Sequence, residues 1–289
     1  MAGELFFLFF DVQHGHATYI KFPNGKHWFI DLGQGSIQDT NETFSPLHHM
    51  WYSYNVTYLD NLVLTHPHHD HIADLENLHL AFPNVVAAPR HLSESDVRGG
   101  NRESDMVAVE QYLALVQGTS QRIIPANDPT SSGNTGGVWV QMFCPTQCAR
   151  SNLNNHSIVT VLSYAGTKVL IPGDNEAASW RELLENPAFV EAIRGTNILL
   201  AAHHGREAGY CADIFDYFKP CLTIVSDGAG SDTSAVTSYY QQSTGWVVHS
   251  RSSGRSETRY CLTTRTDKGI TLKLIQKDDG SRVREVTIA

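Results

Sequence analysis

The chain has 289 residues, 41% hydrophobic, 10% aromatic and 18% charged, with 22 Gly and 11 Pro, a composition that excludes disordered and collagen-like classes. It is long enough for one large α/β domain or two small ones. It has no run near the ~20 apolar residues of a membrane span, which excludes a channel role for this chain. The balance of 21 Lys and Arg against 30 Asp and Glu gives a net charge of −9. That disfavours non-specific binding to long nucleic acid but leaves phosphate substrates open, because bound metal ions supply local positive charge.

In chain order, Leu5–Val12 reads as a buried strand; it is too short for a span, and Glu4 stands where a signal peptide would be basic. Ala17–Phe22 pairs across the Pro23-Asn24-Gly25-Lys26 turn with His27–Asp31 in a predicted hairpin. Thr43–Tyr54 is expected to be helical and Asn61–Thr65 a short buried strand. Ile72, Leu75, Leu78 and Leu80 predict a helix opening at Asp70. Asn84–Ala88 is a further predicted strand, 93–102 a polar loop, Glu103–Gln117 a helix, and 127–137 a Pro/Ser/Gly/Asn-rich loop. The second half predicts strands at 138–144, 157–164, 168–172, 198–202, 222–226, 246–250, 257–264 and 271–276. Its predicted helices are 177–193, 211–218 and 234–242. No repeat of 20–50 residues interrupts the pattern. Two strand-rich halves, roughly 1–137 and 138–289, imply one α/β domain: a sandwich of two sheets with helices outside.

Five scattered cysteines fit reduced thiols and a cytoplasmic compartment better than disulfides or a structural zinc site. Histidine is the unusual residue, 15 of 289, and four lie between positions 66 and 71. In Thr65-His66-Pro67-His68-His69-Asp70-His71, the strand end aims His66 and His68 to one side, and Asp70 and His71 follow on the turn into a helix. Three imidazoles and a carboxylate match the ligand types of zinc, manganese or iron. Gly173-Asp174 and His203-His204-Gly205 each follow an apolar strand as well. Strand ends are where a layered α/β fold gathers its site residues.

This ordered series resembles the metallo-β-lactamase superfamily. The resemblance implies an αββα sandwich of two mixed sheets and two divalent metal ions, zinc first, manganese or iron as alternatives. Its implied ligands are His66, His68, Asp70, His71, Asp174 and one of His203 and His204, with the family's simpler Gly-His-Gly version aligning on His204. The family's further histidine falls near Asn155 by count, with His156 beside it; imidazole is the better zinc ligand, so His156 is preferred and Asn155 left to substrate. Within the superfamily the chain resembles the hydrolase domain of ComEC-type DNA-uptake proteins. The similarity runs through Asp11-Val12, Gly15, Phe22-Pro23-Asn24-Gly25, Phe29-Ile30-Asp31-Leu32-Gly33, Asn154-Asn155-His156-Ser157 and His203-His204-Gly205. It spans residues 5 to about 265 without a membrane channel. His14 and His16 replace the pattern's Gln and Asp, and Arg206 replaces its Ser; these three are candidate substrate contacts.

The implied activity is metal-dependent hydrolysis by a bridging hydroxide, with Asp174 spanning both ions and Asp70 holding the second ion and orienting the nucleophile. A phosphodiester, in nucleic acid or a small nucleotide, is the first expectation for substrate. Hydrolysis of a lactone, thioester or β-lactam, or a metal-binding regulatory role with weak catalysis, are the alternatives. Without a basic stripe interleaved with aromatics, short phosphodiesters are favoured over long duplexes. His27, His48, His49, His79, His91 and His249 are assigned no role.

Overall fold

The Leu5–Phe10 run lacks clean alternation because the strand Gly3–Phe9 is covered on both faces. Leu5, Phe7 and Phe9 enter the core between two sheets, while Leu8 and Phe10 pack with outer helices. The computed structural model describes residues 3–36, 42–81, 92–118, 128–228 and 234–289. Its first sheet has eight strands in the order Ser256–Arg259, Trp246–Ser250, Arg282–Ile288, Ile270–Gln276, Gly3–Phe9, Ala17–Lys21, His27–Leu32 and Asn61–Val63. The second has six: Cys261–Thr263, Leu222–Val225, Ile198–Leu200, Thr167–Ile171, Val159–Tyr164 and Trp139–Phe143. Their facing sides share one core, with Phe7, Ile20, Trp28 and Leu272 from the first and Val140, Leu162, Val169 and Ile224 from the second.

Helices close both outer faces. Tyr19, Phe29 and Leu62 of the first sheet meet Leu47 and Met50 of Pro46–Tyr54, Leu75 and Leu78 of Leu75–Ala81, and Val109 and Tyr112 of Met106–Gly118. Val161, Leu170 and Leu199 of the second meet Trp180, Phe189 and Tyr239. This is the expected αββα sandwich. The first sheet draws four strands from before residue 64 and four from after 245, and Phe9 pairs with Ile270.

Several elements differ from expectation. The predicted helix 177–193 is two, Ala177–Leu184 and Pro187–Ile193, because Pro187 disfavours helical backbone at Asn186, whose side chain instead accepts from Ala188 N–H (3.0 Å). The predicted strand 257–264 splits at Tyr260: Ser256–Arg259 joins the first sheet and Cys261–Thr263 the second. Residues 93–102 contain a helix, Glu94–Gly99, started by a capping box in which Ser93 and Asp96 satisfy each other's backbone N–H. The segment 211–218 forms the shorter 3₁₀ turn Ala212–Asp216. Arg282–Ile288 is an additional strand; only Val286 and Ile288 reach the core, so its apolar signal is faint. The predicted strand Asn84–Ala88 lies outside the described residues. Among the described residues no helix is long and apolar enough to cross a membrane.

Candidate metal centre

Asn61–Val63 runs parallel to His27–Leu32, and Thr167–Ile171, Ile198–Leu200, Leu222–Val225 and Cys261–Thr263 run parallel in the second sheet. Their carboxyl ends deliver Asp31, Thr65-His66, Asp174, His203-His204 and Ser226 to one edge of the sandwich. The two sheets meet there: Ile158 N–H donates to Thr65 C=O at 2.9 Å, and Asp174 N–H donates to Ser157 Oγ at 3.1 Å. Gly173 has φ +62°, and a Cβ there would stand 2.7 Å from Thr65 Cβ and 2.8 Å from Ser157 Cβ. Only glycine lets the Asp174 turn come this close. His203 (φ 50°) and His204 (φ 55°) are both left-handed ahead of Gly205 (φ 75°), a conformation costing about 1–2 kcal/mol per non-glycine residue. Strain of this kind concentrates where side chains must be aimed.

Asp70, His71, Asp174 and His204 each bring one ligand atom within 4.8 Å of the others. His71 Nε2 lies 3.3 Å from Asp174 Oδ1 and 3.3 Å from His204 Nε2; His204 Nε2 lies 3.2 Å from Asp70 Oδ2 and 3.3 Å from Asp174 Oδ2. The same Asp174 Oδ2 is 3.9 Å from His66 Nε2, which lies 3.0 Å from His68 Nδ1. Asp174 is thus within reach of both histidine groups.

The ring tautomers are set from behind. His71 Nδ1 lies 2.7 Å from Asp31 Oδ2, and His204 Nδ1 lies 2.9 Å from the Ser226 carbonyl; both partners only accept, so each Nδ1 carries its proton. The two Nε2 atoms then present lone pairs toward each other and toward two carboxylates, a donor set that calls for cations. In the ion-free protein, protons fill that need. Burial lowers the affinity of His71 for a proton, but Asp174, Asp31 and Asp70 outweigh it and hold its pKa well above the ordinary value. His204 is likewise raised against burial, to about 9, chiefly by Asp174. Burial would raise Asp174, yet His204 and His71 keep it well below the carboxylate range. The residues fit divalent metal ions held by imidazole and carboxylate.

Asp31, His16 and His71 also bring donor atoms together. Their contacts of 2.7 and 3.0 Å are hydrogen bonds, and Asp31 further accepts from Thr65 N–H (2.6 Å) and Thr65 Oγ1 (2.7 Å). Asp31 is fully buried and is the anchor behind His71. The Phe-Ile-Asp motif marked its place in the sequence, but its supporting role emerges only from the fold.

A cleft of about 450 Å³ opens over the centre, lined by His14, His68, Asp70, Arg102, Asn154, Asp174, His203 and Arg206 among others. Of the expected substrate contacts, His14 and Arg206 lie in it. Arg206 Nη1 is 3.2 Å from His203 Nε2 and Nη2 is 3.4 Å from His14 Nε2, so the guanidinium spans the mouth. His203 Nε2 is thereby turned to Arg206, and His204, not His203, belongs to the group of converging ligand atoms. His16 is not in the cleft lining; it is buried between Asp31 and Thr18 Oγ1 (2.7 Å). Asn155 is also absent from the lining. Its Oδ1 accepts from Glu176 N–H at 3.1 Å, while Asn154 faces the cleft and donates from Nδ2 to Glu176 Oε1 at 3.1 Å. His156 is fully buried on the 3₁₀ turn Leu153–His156, with Nε2 3.4 Å from the Ala149 carbonyl. It belongs to neither group of converging donors.

Residues 55–197 match the family model of the metallo-beta-lactamase superfamily. No curated protein matches the chain significantly. Among solved structures, a diphosphatase from the PhnP family aligns with TM-score 0.51 and 12% identity over 95% of this chain and 99% of that one. A mutant of the CmlA beta-hydroxylase aligns with TM-score 0.52 and 11% identity over 94% of this chain, which spans only 54% of that protein. The matched segment, about half of the chain, contains the His66–His71 cluster and Asp174, and the chain shares its fold with these two solved structures.

Proposed function

We propose that this chain is a dinuclear metal-dependent phosphodiesterase acting on nucleic acid or a small nucleotide phosphodiester. The observation that carries the reading is the pair of guanidinium groups, Arg102 and Arg206, lining the cleft over Asp70 and Asp174 in a protein of net charge −9. Cations over a metal centre favour a substrate that keeps a standing negative charge, and arginine suits phosphate oxygens. The PhnP-family diphosphatase among the fold neighbours supports phosphorus chemistry on this scaffold. Within the superfamily we place the chain nearest the ComEC-type branch, on the motifs shared from Asp11 to Gly205. None of the five cysteines, all described, is in a disulfide, which supports a reducing, cytoplasmic setting.

Asp70, His71, Asp174 and His204 would hold one ion. His66, His68 and Asp174 would hold the other, with His156 the further candidate. Zinc is the first choice, manganese or iron the alternatives. Such ions, when bound, supply Lewis acidity and a water deprotonated near neutral pH. The chain's own groups do the rest. Asp70, whose carboxylate faces the cleft, orients the attacking water by accepting its hydrogen bond. Arg206 donates to a non-bridging phosphate oxygen as charge grows there in the transition state. His14, 3.2 Å from Asp70, is held below its ordinary pKa by burial, His204 and Arg206.

Metal analysis coupled to a screen of bis-p-nitrophenyl phosphate, a lactone, a chromogenic β-lactam and single-stranded DNA tests this reading. About two ions per chain and chelator-sensitive phosphodiester turnover are expected. Arg206→Ala should cut kcat/KM on the phosphodiester by about 10- to 100-fold, about 1.4–2.8 kcal/mol, with metal content unchanged and little effect on an uncharged lactone. Robust lactone turnover without phosphodiester cleavage would overturn the proposal.

A further inference from the structure

A second cavity, of about 650 Å³, lies on the same edge of the sandwich as the metal centre. One loop separates the two: Gln13 lines this cavity and His14 lines the catalytic cleft. The strand register explains the neighbourhood. Phe9 pairs with Ile270 and Val225 with Thr263, so Lys268 and Arg265 emerge beside the strand ends that carry the 11–16 loop and Ser226. Gly228 packs directly on that loop; a Cβ there would stand 2.7 Å from the backbone of both Gln13 and His14.

The cavity's chemistry differs from the cleft's. Its lining includes a chain of ring contacts, Phe10 to Phe44 (6.0 Å between centroids), Phe44 to His49 (5.5 Å) and His49 to Tyr54 (5.5 Å), ending at the exposed Tyr54. It also includes Arg251, Arg265 and Lys268, the last two with side chains 40% and 46% exposed. Asp11, the acidic side chain among the described lining residues, lies 3.4 Å from Lys268, and the buried Asp227 lies 3.8 Å from Arg265. Three cationic side chains thus line the cavity, two of them beside carboxylates, while Arg251 donates to Thr271 Oγ1 at 3.2 Å. Cations that track a phosphate backbone together with rings that stack on bases are the elements that recognise single-stranded nucleic acid.

We propose that this cavity binds a nucleotide unit of a single-stranded oligonucleotide whose scissile phosphodiester lies in the catalytic cleft, the strand crossing the loop at Gln13 and His14. The inference rests on the phosphodiesterase reading for the cleaved bond; the cavity adds the preference for a strand over a small ester. An acidic peptide would satisfy the cations but leave the rings without flat partners.

The test uses the metal-loaded protein, Lys268→Glu and the double variant Arg251→Glu/Lys268→Glu. Each is assayed on bis-p-nitrophenyl phosphate and on a fluorescein-labelled thymidine decanucleotide, whose binding is followed by anisotropy. Both variants should stay within about twofold of the parent on the small ester. The decanucleotide's Kd and KM should rise about tenfold or more in the double variant, and its affinity should fall less steeply with salt. Tyr54→Ser, which changes no charge, should weaken binding by about three- to tenfold. Lys268→Glu alone carries the test if the double variant does not fold. Binding is also compared between chelator-treated parent and chelator-treated charge variants, so it is read without turnover. Cleavage of neither ester by the parent overturns the phosphodiesterase reading. Equal decanucleotide affinity in parent and charge variants, absence of binding by the parent, or equal displacement by polyglutamate overturns the cavity's role.

Discussion

Asp31→Asn changes no group that lines the catalytic cleft, yet it is expected to weaken metal binding. The carboxylate accepts from Thr65 N–H, Thr65 Oγ1, His16 Nδ1 and His71 Nδ1. An amide of the same shape keeps one accepting oxygen and turns an N–H toward a donor, so His71 loses the charge that fixes its tautomer. Burial works to raise the pKa of Asp31, but His71 and the hydrogen bonds from His16 and His71 hold it below the carboxylate range. Losing one charge-assisted hydrogen bond costs about 1.5–3 kcal/mol. At about 1.4 kcal/mol per tenfold, that is about a 10- to 150-fold drop in affinity for the ion His71 would hold. Because the folded pKa lies below the unfolded one, the carboxylate's own contribution to stability is complete above about pH 4 and lost as pH falls further. The stability penalty of Asp31→Asn should therefore be full at neutral pH and shrink only in strong acid. Competition with a chromophoric chelator measures the affinity, and thermal unfolding of the metal-free protein measures the stability. Affinity within twofold of the parent would refute the reasoning that Asp31 orients His71 as a ligand.

Asp174→Ala should remove more than one ion's worth of binding, because its carboxylate lies within 4 Å of His66, His71 and His204; full metal content by elemental analysis would show that it does not serve both ions. His204→Ala should lose close to one ion, whereas His203→Ala should keep its metal and instead release the Arg206 guanidinium, raising KM for a phosphodiester; the reverse pattern would exchange their roles. His156→Ala is expected to lower occupancy of the ion held by His66 and His68. Asn155→Ala should leave metal content intact but cost about 1 kcal/mol of stability, since its side chain accepts from Glu176 N–H ahead of the helix Ala177–Leu184; unchanged denaturant midpoints would contradict that capping role.

The layers and most elements were legible because their signals are local. The Pro23–Lys26 turn sets the hairpin, and strands such as Val159–Tyr164 are apolar runs bounded by turn residues. Most of what escapes is decided at longer range. Ser256–Arg259 and Cys261–Thr263 read as one strand because alternation along a chain carries no record of which sheet each residue joins. Arg282–Ile288 pairs with Ile270–Gln276 over six residues, but its outward positions are charged, so little hydrophobic pattern survives. The capping box at Ser93 was readable by type and spacing; the polar composition around it masked it.

At the site, residue type announces the candidate ligands and geometry sorts them. His66, His68, Asp70, His71 and Asp174 stand out because imidazole and carboxylate crowd strand ends, which a solvated loop has no reason to produce. Neighbours in sequence are separated only by direction. Asn154 and Asn155, His203 and His204, and His14 and His16 are pairs of like residues within two positions, and in each pair the backbone sends the two side chains to different work. His16 turns back to Asp31 while His14 meets Arg206; His203 meets Arg206 while His204 turns into the centre. The left-handed backbone at both His203 and His204 makes that last division possible, and no propensity scale would place two consecutive histidines there. The cationic, aromatic cavity is the extreme case. Phe10, Phe44, Tyr54, Arg251, Arg265 and Lys268 span more than 250 positions of sequence, so no stripe exists to be read. The pairing of Gly3–Phe9 with Ile270–Gln276 brings Phe10 and Lys268 together, and the rings of Phe44, His49 and Tyr54 come from the separate segment that packs beside Phe10.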